Sequence, residues 1–229
     1  MWERIVEEAP DFFTYYNMIF LLEALLATFL LSAIGCLFGF CSGFFLAVTR
    51  RTTSWRLMPI RFVSILFIEL FRRIPFLVTL MLVFFIFQLS NIDISLFTVA
   101  LISVCFIATA FISEIIRSGF ESVHQTQWDT AVAMNMTLLQ TLRYVIVPQA
   151  WKIILPPVFS FFILFIKDTA LASQIGVVEL TYAGKVLNNK GFSAALVFGS
   201  ILVLYFALSY PLARFGIWME ERLAPTRNR

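Results

Sequence analysis

Two ionisable residues side by side, Lys167 and Asp168, interrupt one of the most apolar stretches of this chain. Charges held inside such a run usually face a protein interior or a wet cavity. They can line a path for a polar solute, or anchor the segment by snorkelling or by pairing with another helix. Neighbouring residues on a helix point in different directions, so the two do not form a simple mutual pair. A second pair, Glu114 and Arg117, lies at i and i+3 where another apolar run ends. It reads either as a solvated helix-end ion pair or as a structured mouth. Chemistry of other kinds is missing. There is no GxxxxGK[ST] phosphate loop, no HExxH and no CxxC, and the one histidine, His124, reads as a solvated loop residue rather than a ligand. Cys36, Cys41 and Cys105 all sit in apolar runs, without disulfide or zinc spacing, as small buried hydrophobes. No nucleophile–base set is present, so the chain reads as a conduit rather than an enzyme, with any energy source on another polypeptide.

The elements that must hold these residues are membrane spans. Of 229 residues, 60% are apolar and 17% aromatic, including 27 Phe, while only 14% are charged; the mean hydropathy is +0.89. Such a chain cannot cover a water-facing surface, and its length allows one integral membrane domain over 1–229. Four uncharged runs approach or exceed the roughly 20 residues a bilayer needs: Ala24 to Thr49, Ile74 to Ile92, Ile94 to Ser113 and Gly191 to Ala213. A fifth, Ile153 to Ile166, continues to Val178 if Lys167 and Asp168 are tolerated inside it. The expected fold is all-α with five transmembrane helices. Leu57 to Leu89 would be roughly 50 Å as one helix, too long for a single crossing. Its charged first half is therefore placed along the membrane interface, with Pro75 opening the span proper and Glu69 reaching Arg72 and Arg73.

Basic residues orient the spans. With the N-terminus out and the C-terminus in, all but four of the 17 Lys and Arg lie on the cytoplasmic side. Those are Arg50, Arg51, Arg56, Arg61, Arg72, Arg73, Arg117, Arg143, Lys152, Arg214, Arg222, Arg227 and Arg229. Only Arg4, Lys185 and Lys190 fall outside, with Lys167 inside a span. The acidic start (Glu3, Glu7, Glu8, Asp11) is opposite to a signal peptide and reads as mature protein. Gly35, Gly39 and Gly43 share one face of the first span, a small-xxx-small stripe for packing on another span, of this chain or of a second subunit. Between helices 3 and 4, over about 118–152, the cytoplasmic loop is patterned. Leu138, Leu139, Leu142 and Val145 recur at helical spacing among polar residues, an amphipathic helix suited to docking a soluble partner.

This loop resembles the signature of the membrane subunits of ATP-binding-cassette importers, E-A-A-x3-G-x9-I-x-L-P. The matching positions are Asp129, Thr130, Ala131, then Asn135, then Val145, Val147 and Pro148, with the spacing kept throughout. IELFRRIPFLV at 68–78, SEIIRSGFESV at 113–123, VPQAWKIILPP at 147–157 and IKDTALASQIGVVEL at 166–180 resemble segments of the polar-amino-acid branch of those permeases. The chain departs from the branch at 124–127, where His124, Gln125, Thr126 and Gln127 replace P-K-G-Q, and at Asn135, which replaces glycine. Asn is the best substitute for a φ > 0 turn between two short helices.

The resemblance implies a permease subunit of the bacterial inner membrane that is half of a translocation pathway for a polar amino acid or close analogue. It implies a second permease subunit (the same chain or a different one), two cytoplasmic ATP-binding subunits and an extracytoplasmic substrate-binding protein. It implies no cofactor in this chain, ATP and Mg on the partner ATPase, and no nucleic acid. Lys167, Asp168, Glu114 and Arg117 would then belong to the substrate pathway. A gated channel or membrane scaffold without ATP coupling is the alternative; it lacks a filter-like run.

Overall fold

The computed structural model describes residues 2–52 and 55–223, with side chains from Arg4 onward; Arg227 and Arg229 lie outside the described residues. Every element among them is helical. α1 is Trp2–Phe12, α2 Tyr15–Arg51, α3 Met58–Arg73, α4 Phe76–Leu89 and α5 Leu96–Glu121. The loop carries α6 (Gln125–Ala133) and α7 (Leu138–Thr141). α8 is Val147–Asp168, α9 Leu180–Asn189 and α10 Ala194–Leu223. Four stretches are long and apolar enough to cross a membrane: Tyr15–Arg51, Leu96–Glu121, Leu138–Ile175 and Ala194–Leu223. A fifth is reached if the bent pair Trp55–Arg73 and Phe76–Leu89 counts as one span.

Several boundaries differ from the sequence expectation. Ile74 to Ile92 was expected to cross alone, yet α4 has 14 residues, or about 21 Å at 1.5 Å per residue, short of the ~30 Å hydrocarbon core. Pro75 explains the break: its ring cannot continue α3, and it caps α4 with φ −58° and ψ 142°. The fourth span begins well before Ile153, because α7, a single π turn at Leu142–Ile146 and α8 run on without a gap. Pro148 accounts for the π turn. It offers no N–H to the Tyr144 carbonyl four residues back and would clash with it, so the helix widens there. α8 then passes Lys167 and Asp168 into a 3-10 turn at Thr169–Ile175, stopped by Gly176 at φ 89°.

The chain divides into two compact units. The first comprises Met1–Gly35, Pro75–Val104 and Ile163–Leu212. In it Phe12, Leu21 and Ala24 pack with Leu180, Leu187 and Val197, while Leu31, Leu80, Val99 and Ala172 form a second cluster. The second comprises Cys36–Ile74, Cys105–Phe162 and Ala213–Arg229. Here the glycine stripe finds its partner within this chain. A Cβ on Gly39 would lie 2.6 Å from the Ala108 Cβ, and one on Gly43 would lie 2.9 Å from the Ser113 backbone. α2 and α5 thus meet backbone to backbone, and the stripe is consumed internally rather than by a second subunit.

Candidate functional site

The loop at the end of α5 is built by local chemistry. His124, read from sequence as merely solvated, is the N-cap of α6: its Nδ1 accepts the Thr126 N–H at 3.3 Å. α6 ends in a Schellman closure, with Asn135 N–H donating to Val132 O at 2.9 Å and Met136 N–H to Ala131 O at 3.0 Å. That closure requires a left-handed residue, and Asn135 supplies it at φ 54°. α7 then opens with a capping box: the Thr137 hydroxyl accepts the Gln140 N–H, and Gln140 Oε1 accepts the Thr137 N–H at 2.8 Å. The expected φ > 0 turn at Asn135 does separate two short helices, and the amphipathic one that begins at Leu138 is continuous with the span. T-x-x-Q at 137–140 is the signal that marks this start.

The motif residues fall into two groups. Ala131 is buried, as is Ile146 between Val145 and Val147, so Ala131 packs the loop rather than facing a partner. Asp129, Thr130, Asn135 and Pro148 are exposed. Asp129 accepts from Gln125 Nε2 at 3.0 Å, and Gln127 accepts from Gln149 Nε2 at 3.3 Å, joining α6 to α8. Exposed apolar side chains on this loop include Val132, 70% accessible, Met134, 65%, and Leu139, 72%.

Behind the loop stands an ionic network that the sequence showed only in part. Glu114 and Arg117 do pair, Arg117 Nη2 donating to Oε1 at 2.6 Å. Arg50 Nη1 donates to the other oxygen at 2.9 Å, and Arg72 Nη1 stands 3.6 Å away. Arg72 thus serves Glu114, while Glu69 pairs with Arg73 alone at 2.7 Å. Arg117 also binds Glu121, which Arg51 approaches at 3.9 Å. The Arg51 guanidinium in turn sits over the Trp128 ring, 4.7 Å from its centre. Links of charge therefore run from α6 through α2 to α5. Arg72, Glu114 and Arg117 line a cavity of about 330 Å³ with Phe111 and Pro157, so the pair belongs to a part-buried network rather than to a solvated helix end. Sequence reading missed Arg50 and Arg51 because their partners are remote along the chain, and passed over Glu121 although Arg117 stands only four residues before it.

Lys167 and Asp168 are in the first unit and point apart. Lys167 is exposed and lines a cavity of about 380 Å³ with Ala170, Leu202, Tyr205, Phe206 and Ser209. Asp168 is half-buried. Neither side chain has a hydrogen-bonded or ion-paired partner among the described residues, which removes anchoring by pairing and leaves Lys167 free to snorkel. The polar anchor of this unit is Glu179, fully buried. It caps α9 by accepting Thr181 N–H at 3.0 Å and Tyr182 N–H at 2.7 Å, and it takes the Tyr205 hydroxyl at 3.0 Å. Burial pushes its carboxyl above the usual carboxylate range against the pull of these donors. Glu179 closes the quoted 166–180 segment, but nothing local in the sequence predicts that Tyr205 reaches it.

Residues 39–216 match the family described as binding-protein-dependent transport system inner membrane component. The chain is similar to the probable amino-acid ABC transporter permease protein YckA of Bacillus subtilis (strain 168), 31% identical over 86% of each chain. It is 29% identical to the glutamine transport system permease protein GlnP of Escherichia coli (strain K12), over 89% of this chain and 92% of that one. Among solved structures it superposes on an amino acid ABC transporter crystallised with histidines, TM-score 0.81 at 27% identity, covering 91% of this chain and 98% of that one. The inward-facing MetNI methionine ABC transporter shares the fold, TM-score 0.77 at 21% identity, over 93% and 100%.

Proposed function

The chain belongs to the binding-protein-dependent transport system inner membrane components, and on that footing we propose that it forms half of the translocation pathway of an ATP-driven importer for a polar amino acid or a close analogue. The curated relatives named for amino-acid and glutamine transport support the substrate class. In this reading the N-terminus is outside and the C-terminus in the cytoplasm of a bacterial inner membrane. A second permease subunit completes the path, two ATP-binding subunits carry ATP and Mg, and an extracytoplasmic binding protein delivers substrate.

The observation that carries the reading is the rigid construction of the loop. Capped at His124, closed at Asn135 and restarted at Thr137, α6 moves as a body. Its connections through Trp128 to Arg51, and through Gln127 to Gln149, pass a displacement to α2, α5 and α8. Closure of the ATPase pair pushes α6 through the face carrying Val132 and Met134, and the charged mouth at Glu114 shifts with it. Lys167, unpaired and lining a cavity, meets the substrate carboxylate, and Asp168 takes the amine.

Val132→Asp with Met134→Asp tests the coupling without touching the buried Ala131. The ATPase subunit should no longer co-purify, while the permease still inserts and folds. Full retention of the ATPase by that double variant would remove the coupling role and favour a channel or scaffold without ATP.

A further inference from the structure

The second unit has an apolar groove that transport by the charged mouth does not use. It holds about 520 Å³ and is walled by Phe38 and Phe45 of α2, Ile60, Val63 and Phe67 of α3, and Phe106 of α5. Its few hydroxyls are already satisfied. Ser42 and Thr109 share a hydrogen bond at 2.6 Å, and Ser64 donates to Ile60 O at 2.8 Å. The wall therefore offers nothing to a polar guest and suits a hydrocarbon chain.

Arginines at the Arg51 end of α2 specify the guest further. Arg50, Arg51, Arg72, Arg73 and Arg117 each stand within 4.0 Å of a carboxylate. Among the described residues, neither Arg56 nor Arg61 has one. Arg61 makes only a marginal 3.5 Å contact to Thr52 O. Arg56 sits on the 3-10 turn Trp55–Leu57 that leads into α3, three residues before the groove-lining Pro59. Beside it Trp55 is 82% exposed, as aromatic side chains at a headgroup layer are. Two guanidinium groups lacking an acid, an exposed tryptophan and the groove-lining residues of α3 thus share one strip of sequence, 55–67.

We propose that this strip is a binding site for one anionic phospholipid, its acyl chain in the groove and its phosphate held by Arg56 and Arg61. Guanidinium forks match phosphate oxygens in pairs, which a zwitterionic headgroup with its own ammonium satisfies less well.

The test uses the permease–ATPase complex reconstituted in nanodiscs of phosphatidylglycerol and phosphatidylcholine, extracted into mild detergent, with retained lipid counted by mass spectrometry. The wild-type complex should retain phosphatidylglycerol in excess of its share. Arg56→Gln and Arg61→Gln, both at exposed positions, should each lower that retention by about five-fold, the effect of one basic residue near a membrane surface. Arg143→Gln, remote in sequence from the strip, should leave it unchanged. Ile60→Trp, which fills the groove from a half-exposed position, should displace phosphatidylglycerol although both arginines remain. Equal losses from all three arginine variants would show general electrostatics and overturn the site. So would retention blind to headgroup, or disulfide cross-linking of Ile60→Cys between two permease copies, which would make the groove a subunit interface.

Discussion

Asn135 is the residue on which the loop turns. Its φ of 54° is a conformation that Asn and Gly adopt readily and other residues adopt at a cost of about 1–2 kcal/mol. Asn135→Gly should therefore be neutral or slightly stabilising, and Asn135→Val should lower stability by about that amount and loosen ATPase binding, read by thermal unfolding beside co-purification. Asp168 makes a different forecast. Lacking a partner, it holds nothing in place, so Asp168→Asn should leave the yield of assembled complex unchanged. Substrate uptake into liposomes should fall about ten-fold, in line with loss of one charge-assisted hydrogen bond; reduced yield would mean that Asp168 anchors the fold after all. A third residue, Glu8, takes the Ser193 N–H at 2.6 Å, which with Arg4 beside it holds its carboxyl below the usual carboxylate range. A carboxyl depressed in the folded state stabilises it above the unfolded pKa of about 4.3 and loses that contribution as pH falls through the lower folded value. Hydrogen exchange at the Ser193 amide, corrected for its intrinsic rate, should accelerate on acidification below pH 4, and Glu8→Gln should flatten the dependence. The turn at Asn135 was legible because φ > 0 narrows the residue choice, and the charged pair at 167–168 because charge is rare in apolar runs. Glu179 was not, since a cap looks like any acid until Tyr205 folds over it.

Among elements, the contact of α2 with α5 is the least forgiving. At Gly39 an added Cβ meets not only the Ala108 side chain but its backbone carbon, 2.8 Å away. Even Ala there must push the helices apart, and the usual cost of overpacking is about 1–3 kcal/mol. Gly39→Ala should lower the unfolding temperature of the purified protein, whereas Gly199→Ala, with open space around it, should not. Period-four glycine spacing made the stripe readable from sequence, but not its partner, because complementary Ala108 and Ser113 carry no signal of their own. The same limit applies to the loop. Helical spacing at Leu138, Leu139, Leu142 and Val145 was real, yet periodicity alone does not say whether a helix stops or runs on into the next span. α8 runs on because Pro148 is absorbed by a π turn rather than breaking it, and that choice is made by packing of Leu142 and Ile146, both buried.

For the whole molecule, the forecast is its placement in the bilayer. A cysteine at Asn188 should react with an impermeant reagent added outside intact cells, and one at Gln125 should react only after the membrane is opened. The reverse pattern would invert the chain and remove the loop from the cytoplasm. Span number was nearly legible from hydropathy: four stretches qualify, and the fifth depends on counting α3 and α4, bent by 114°, as one. Which surfaces meet a partner was not legible, because lipid and protein select the same side chains. α10 shows this: Leu202, Val203 and Phe206 are all largely exposed, and apolar character alone assigns them to neither.

The glycine stripe also sets a schedule for biogenesis. Gly39 and Gly43 are synthesised about 70 residues before Ser113, a delay of roughly 4–14 s at 5–20 residues per second. Until α5 emerges from the ribosome, α2 stands in the bilayer with bare backbone where its partner will lie. A nascent chain halted near Asp93 should therefore remain cross-linkable to the insertion machinery through Gly39→Cys, and one halted well past Glu121 should be released.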